Sequence, residues 1–169
     1  LGTFSKVLFP SLRLGYAIVP ADLVQPFVGA RILMDRHPPV ADQHVLAAFI
    51  GEGHLDRHIR RLRGVYADQR AYVVEVFGRI LPARFGRVQP CDQGMHMVVW
   101  LREDIDDRRV AAAALARGVS VRPVSPMYAT GTERPGLILG FGGYSTDAIE
   151  SAARRLASVI KTAAGRRGR

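Results

Sequence analysis

The strongest restriction on the fold is a helical run between Gly53 and Pro82. Leu55, Ile59, Leu62, Tyr66, Val73 and Phe77 recur every three or four positions, with one gap. The spacing predicts one amphipathic helix from about His54 to Ile80, ended by Pro82. Such a helix is the natural boundary between what precedes it, residues 1–53, and the lobe it opens, residues 54–169.

Downstream the rhythm changes. Residues 95–101 read as a strand after Gly94, and 107–116 as a short alanine-rich helix stopped by Gly118. Residues 119–124 read as a second strand bounded by Pro123 and Pro126, with Met95, Met97 and Trp100 as strand packing. A polar loop over 125–135 leads to a third strand, 137–141. Gly142-Gly143 is a turn, because the glycine run lacks the strand-to-helix context of a phosphate loop. Ser145 then caps a closing helix to about Lys161. A long helix followed by strand–helix–strand–strand–helix describes a compact α/β lobe. Upstream, 13–20 reads as a buried strand closed by Pro20. Asp22 is placed to cap a helix to about Met34 with Leu23, Phe27 and Ile32 on its apolar side. His37-Pro38-Pro39 breaks helical geometry before a second helix over 41–51.

At 169 residues the chain can build one domain with a real core. A single cysteine, Cys91, excludes an internal disulfide and reads as packing in a reducing compartment. No apolar run reaches the roughly 18 residues of a membrane span, and no signal-peptide pattern opens the chain, so a soluble cytoplasmic protein is expected. The formal charge of +9 invites a nucleic-acid reading. The arginines cluster at Arg57, Arg60, Arg61 and Arg63, at the spacing of a solvated helix face, and again in the tail 166–169. Neither cluster is interleaved with the aromatic residues of a base-stacking surface, so direct nucleic-acid binding by this chain is not expected. His44, His54, His58 and His96 are dispersed; His54 and His58 share a helix face, but no third metal ligand is evident.

The chemistry concentrates between Gly2 and Tyr16. Lys6 is one of only two lysines against 22 arginines. It follows the hydroxyls of Thr3 and Ser5, precedes the apolar Val7-Leu8-Phe9, and has Arg13 seven positions on. An amine in apolar surroundings resists protonation and can then attack an aldehyde. The fixed guanidinium of Arg13, with nearby hydroxyls, suits a phosphate dianion. An amine beside a phosphate cradle is what pyridoxal 5′-phosphate requires.

This segment resembles the lysine region of class I/II aminotransferases of fold type I, in the variant with an arginine at lysine plus seven. Asp35 through Pro39, Gln43, the run Glu52 to Arg63, Tyr66 and Arg70 narrow the likeness to MocR-type transcription regulators, in which a GntR-type winged helix is fused to an aminotransferase-like effector domain. The resemblance implies the C-terminal part of that domain: residues 1–53 as a remnant of the large coenzyme domain, and 54–169 as the connecting helix with the small α/β domain. It implies that Lys6 forms the internal aldimine and is the catalytic residue of any chemistry. It also implies that Arg13 and Thr3 contact the coenzyme phosphate, with Ser5 a weaker contact. The chain starts inside the motif without a methionine, so an N-terminal portion of something larger is expected to precede it. The acidic partner of the pyridine nitrogen and the ring-stacking aromatic are expected there, and the isolated chain is expected to hold the coenzyme poorly. DNA would be met only through the absent winged helix, the ligand would be an amine or amino acid, and the full protein would be a homodimer.

One departure bears on activity. Where many aminotransferases carry an arginine for the substrate carboxylate, the stretch Gly136 to Phe141 has Ile138. Arg134 lies four residues earlier and is not assumed to replace it. Arg122 with Tyr128 either lines a pocket mouth or makes a loop ion pair. Three readings stay open: a coenzyme-dependent effector domain, the C-terminal half of a working aminotransferase, and a non-functional relic.

Overall fold

The computed structural model describes residues 1–165. In chain order its elements are β1 (Gly2–Thr3), β2 (Gly15–Tyr16), α1 (Ala21–Asp35), α2 (Val40–Gly51), α3 (His54–Ile80), β3 (Gly86–Gln89), β4 (His96–Leu101), α4 (Asp107–Leu115), β5 (Arg122–Pro123), β6 (Gly136–Gly140) and α5 (Thr146–Gly165). Two compact units, Leu1–Arg63 and Gly64–Arg169, divide within α3. Among the described residues no helix is long and apolar enough to cross a membrane.

The Gly64–Arg169 unit is an antiparallel sheet, in the order β3-β4-β6-β5, packed with helices into one core. The strand alternation decides which side is covered. Met97, Val99 and Leu101 of β4 and Leu137 and Leu139 of β6 are buried, while the residues between them are half-buried or exposed, Gly136 excepted. The buried set meets Val73, Val76 and Phe77 of α3, Val110 and Ala114 of α4, and Ile149, Leu156 and Ile160 of α5. Each large side chain so buried contributes about 1.5–3 kcal/mol relative to exposure. The long helix has the predicted ends, and α5 begins where Ser145 was placed, its Oγ accepting from Ala148 N at 3.3 Å. The N-cap of α4 is Asp106, whose carboxylate accepts from Arg108 N and Arg109 N at 3.0 and 3.1 Å. Gly118 then takes φ +71, the left-handed conformation that ends the helical segment.

Several expectations need correction. The lobe has a fourth strand, β3, whose four residues offer too short an alternation to be read from sequence. The strand expected over 119–124 pairs only at Arg122–Pro123, because prolines remove ladder donors; Val119 and Val124 are nonetheless buried. Cys91 is exposed, its thiol donating to Gln93 O, and is no part of the core.

In the Leu1–Arg63 unit, the strand expected over 13–20 shrinks to Gly15–Tyr16, since its only strand partner among the described residues is the two-residue β1. Tyr16 and Ile18 are exposed rather than buried. Pro20, not Asp22, precedes α1, and Asp22 lies inside its first turn, where a carboxylate favours the helix dipole. Leu23, Phe27 and Ile32 are exposed, so α1 buries none of the face read as apolar.

Glu150 carries the lobe's clearest pH signature. Tyr72 Oη donates to its carboxylate at 2.7 Å, Arg154 at 2.5 Å and Arg79 at 3.0 Å. The Tyr72 hydrogen bond, then the Arg154 contact, hold the Glu150 carboxyl below the usual range, and the same bond raises the Tyr72 phenol. A carboxyl depressed on folding stabilises above its unfolded pKa of about 4.3, and that contribution disappears as pH falls through the folded value. The phenol works in the opposite sense and loses its contribution on the alkaline side. Glu150→Gln should therefore flatten the acid limb of stability against pH, read by denaturant midpoints between pH 3 and 6. An unchanged acid limb would remove Glu150 from that account.

Candidate functional site

β1 and β2 form a short antiparallel ladder with Gly2 opposite Tyr16 and Thr3 opposite Gly15. Its glycines are required by close approach. A Cβ on Gly15 would stand 2.7 Å from the Gly2 carbonyl oxygen, and one on Gly2 would strike the Tyr16 ring. Between the strands, residues 4–14 make a loop closed by Phe4 N donating to Leu14 O at 3.1 Å. All four predicted site residues, Thr3, Ser5, Lys6 and Arg13, lie on this loop or at its base.

Thr3 Oγ1 accepts from Ser5 N at 3.1 Å and donates to Leu14 O at 3.4 Å, so its hydroxyl organises the turn. The amides of Val7 and Leu8 both bond the Phe4 carbonyl, at 3.2 and 2.8 Å. This tight turn leaves Val7 and Leu8 half-buried and Lys6 exposed. The apolar surroundings expected for the amine are therefore not provided by the run that follows it. Arg13, also exposed, ends a short helical turn at φ 51, ψ 26, a left-handed conformation uncommon outside glycine. Neither Lys6 nor Arg13 has a side-chain hydrogen bond or ion pair among the described residues. Two unpaired cations and two hydroxyls on one closed loop form a donor set suited to a phosphate and an aldehyde.

A residue outside the motif also holds this loop. His58 Nε2, in the first turns of α3, donates to the Val7 carbonyl at 2.9 Å, one residue beyond Lys6. Its Nδ1 faces the Arg61 guanidinium at 3.5 Å. His54 turns elsewhere, stacked on Phe49 and bonded to Glu52. The two histidines thus turn to different partners, and no group of three or more His, Cys, Asp or Glu that could hold a metal ion occurs among the described residues. The His54/His58 spacing is visible in the sequence, but the reach from position 58 to position 7 has no local signal. His58→Ala should speed hydrogen exchange of the Val7 and Leu8 amides several-fold, with the amides of α2 as the unchanged reference.

In the other unit, Ile138 is half-buried in β6, opposite Val98 on one side and Arg122 on the other. Arg134 lies in the preceding loop with its guanidinium 4.2 Å from the centroid of the Trp100 indole. Arg122 is exposed and makes no ion pair among the described residues, which settles that expected alternative against the pair.

No protein-family model matches the chain. It is 33% identical over 156 residues, 92% of its length, to the HTH-type transcriptional regulator YhdI of Bacillus subtilis, a protein not otherwise characterised. It is 32% identical over 160 residues, 95% of its length, to the probable rhizopine catabolism regulatory protein MocR of Rhizobium meliloti. The chain spans 33% and 32% of the lengths of these two relatives. Among solved structures, the α-aminoadipate aminotransferase LysN of Thermus thermophilus, crystallised with N-(5′-phosphopyridoxyl)-L-leucine, superposes with a TM-score of 0.84 at 26% identity, over 95% of this chain and 41% of that one.

The fold is therefore that of a class I/II aminotransferase domain of fold type I. Within that class, the sequence is similar to MocR-type regulators of the GntR family as well as to aminotransferases.

Proposed function

We propose that the chain is part of a pyridoxal-phosphate-dependent effector domain in a MocR-type transcription regulator, with Lys6 as the residue that bonds the coenzyme. The observation that carries this reading is the loop between β1 and β2. It presents an unpaired amine and an unpaired guanidinium seven residues apart, in a chain most of whose length aligns with two HTH-type regulators. When bound, the coenzyme supplies an electrophilic aldehyde and an electron-withdrawing ring. Lys6 Nζ would be the amine that bonds that aldehyde, the aldehyde oxygen leaving as water. Arg13 would hold the phosphate by charge-assisted hydrogen bonds. Thr3 keeps the loop closed through Leu14, with Ser5 beside it as a further hydroxyl for the phosphate, and His58 fixes the carbonyl next to the lysine.

The ligand in this reading is an amine or an amino acid, which would compete with Lys6 for the coenzyme aldehyde, and its binding would change the conformation of the domain. DNA is reached through a winged-helix domain outside this chain, the working protein is a cytoplasmic homodimer, and residues 54–169 act as the small domain. The runner-up, a working aminotransferase, draws on the likeness to LysN, where Lys6 would also move a proton between substrate carbon and coenzyme. Ile138 counts against it, because an apolar residue there offers nothing to a substrate carboxylate. Loading the full-length protein with pyridoxal phosphate, reducing with borohydride and mapping the modified peptide is the test. The label is expected on Lys6; a label on another lysine instead, or no label, would overturn the assignment. Multiple-turnover amino transfer would favour the runner-up.

A further inference from the structure

The amine of Lys6 is exposed and no side chain among the described residues holds it, so its placement rests on the backbone that carries it. That backbone is pinned on both sides. Ser5 N donates to Thr3 Oγ1 at 3.1 Å, and Val7 N and Leu8 N donate to Phe4 O at 3.2 and 2.8 Å. These bonds, like those of Phe4 N and Thr3 Oγ1 to Leu14 O, lie within residues 3–14. They shape the loop without fixing it to a helix. Among the described residues one hydrogen bond does that: His58 Nε2, on α3, donating to Val7 O at 2.9 Å across 51 positions. The half-buried Val7 and Leu8 add apolar contact, which has no direction of its own.

The donor in that bond is set by the residue behind it. Arg61 Nη2 approaches His58 Nδ1 at 3.5 Å, and a guanidinium has only N–H groups to offer. Nδ1 therefore accepts, the proton sits on Nε2, and Nε2 faces a carbonyl that can only accept. The neighbouring pair repeats the arrangement to a different end. Arg57 Nη2 meets His54 Nδ1 at 2.7 Å, but His54 Nε2 turns to Glu52, two residues away. Of the two, only His58 reaches the loop. It does so at the Val7–Leu8 peptide, whose N–H is the one already bonded to Phe4 O. That peptide unit is held at both its oxygen and its nitrogen, immediately after Lys6.

We propose that His58 is a positioning residue for Lys6, tying the turn that carries the amine to the first turns of α3 and so coupling bond formation at Lys6 to that helix. This role rests on the proposed function for what bonds at Lys6, and deepens it by naming what holds the lysine in place. A bond made at Nζ orders the residues around Lys6, and the tether passes that order to α3 at position 58. Linkage makes the coupling reciprocal: whatever cuts the tether weakens capture of the coenzyme, and capture tightens the tethered turns. His58 meets no reacting atom in this role and acts through the Val7–Leu8 peptide.

The test uses the full-length protein and the borohydride assay over a range of pyridoxal phosphate concentrations. His58→Phe keeps a ring and removes the donor. It should raise the concentration for half-labelling by roughly two- to tenfold, the span of one neutral hydrogen bond, while labelling at saturation still falls on Lys6. His58→Gln, with an amide N–H in place of Nε2–H, should recover part of the loss, and His54→Phe should match the parent. Hydrogen exchange supplies a readout that a packing role would not move. Saturating coenzyme should slow the amides of residues 59–62 in the parent and leave them unchanged in His58→Phe. Should His58→Phe not fold, nitrogen NMR of the parent's imidazoles decides: Nε2 of His58 protonated and Nδ1 bare is expected, and the opposite tautomer overturns the proposal. So does half-labelling of His58→Phe at the parent's concentration, an equal shift in His54→Phe, no recovery in His58→Gln, or equal slowing of residues 59–62 in both proteins. Any of these in a parent that labels at Lys6 fails this proposal alone, whereas a parent with no label on Lys6 fails the coenzyme reading and this proposal with it.

Discussion

Lys6→Ala should abolish the borohydride-stable adduct completely, and Arg13→Gln should not. The two residues lie on one loop, yet they are asked for different things. Lys6 supplies the only covalent bond to the coenzyme, so its loss is all-or-none in the labelled-peptide assay. Lys161, the other lysine of this chain, stands near the end of α5 in the other unit. Arg13 supplies a charge-assisted contact worth about 1.5–3 kcal/mol. Arg13→Gln should therefore raise the coenzyme concentration needed for half-labelling by roughly ten- to a hundredfold, while labelling at saturation still reaches Lys6. Lys6→Arg keeps the charge and cannot bond the aldehyde, so it should behave like Lys6→Ala in the assay. If Lys6→Ala were labelled as well as the parent, the bond would lie elsewhere. If Arg13→Gln matched the parent at every concentration, the phosphate would not rest on position 13.

What could be read from sequence follows from the range of the interactions involved. The long helix was legible because its amphipathic period repeats over many turns, and Ser145 because a cap is a local contact between a side chain and amides three residues on. Thr3, Ser5, Lys6 and Arg13 stand out for a similar reason, since all four lie within one short segment, and the roles proposed for them are what the labelling experiment tests. The short strand β3 was not, because four residues with one arginine and one glutamine give a period-two pattern too brief to stand out. The contact of His58 had no local signal, its partner Val7 being 51 residues away. The expected apolar cover around Lys6 failed because composition gives the neighbours of an amine in sequence, whereas the turn closed on Phe4 O decides which of them lie over it. The outer face of the sheet was invisible for want of register: Arg122 and Ile138 are sixteen positions apart and become neighbours only through the β5–β6 pairing.

Asp107→Ala should be the most destabilising single substitution in the lobe, at about 3–5 kcal/mol, although the neighbouring Asp106→Ala should cost only about 1 kcal/mol. Both carboxylates sit at the start of α4, and sequence alone gives no reason to separate them. Asp106 is exposed and caps its own helix, a role in which water replaces much of what is lost. Asp107 is 1% exposed, and its Oδ2 accepts from Val124 N at 3.1 Å, Ser125 N at 2.9 Å and Gly136 N at 2.9 Å. One buried oxygen thus ties the start of α4 to the end of β5 and to the first residue of β6. The Val124 amide also reaches the Gly136 carbonyl at 2.9 Å, so truncation strands two donors rather than three. Each unsatisfied buried N–H costs about 1–3 kcal/mol, which sets the lower part of the range, and the loosened junction adds the remainder. Asp107→Asn keeps an oxygen in place but gives up the charge, and should fall between the two alanine variants. Guanidinium-chloride unfolding of the chain, followed by Trp100 fluorescence from β4 of the same sheet, reads all three. Equal midpoints for Asp106→Ala and Asp107→Ala would mean that the buried carboxylate holds the junction no more firmly than an exposed cap holds a helix.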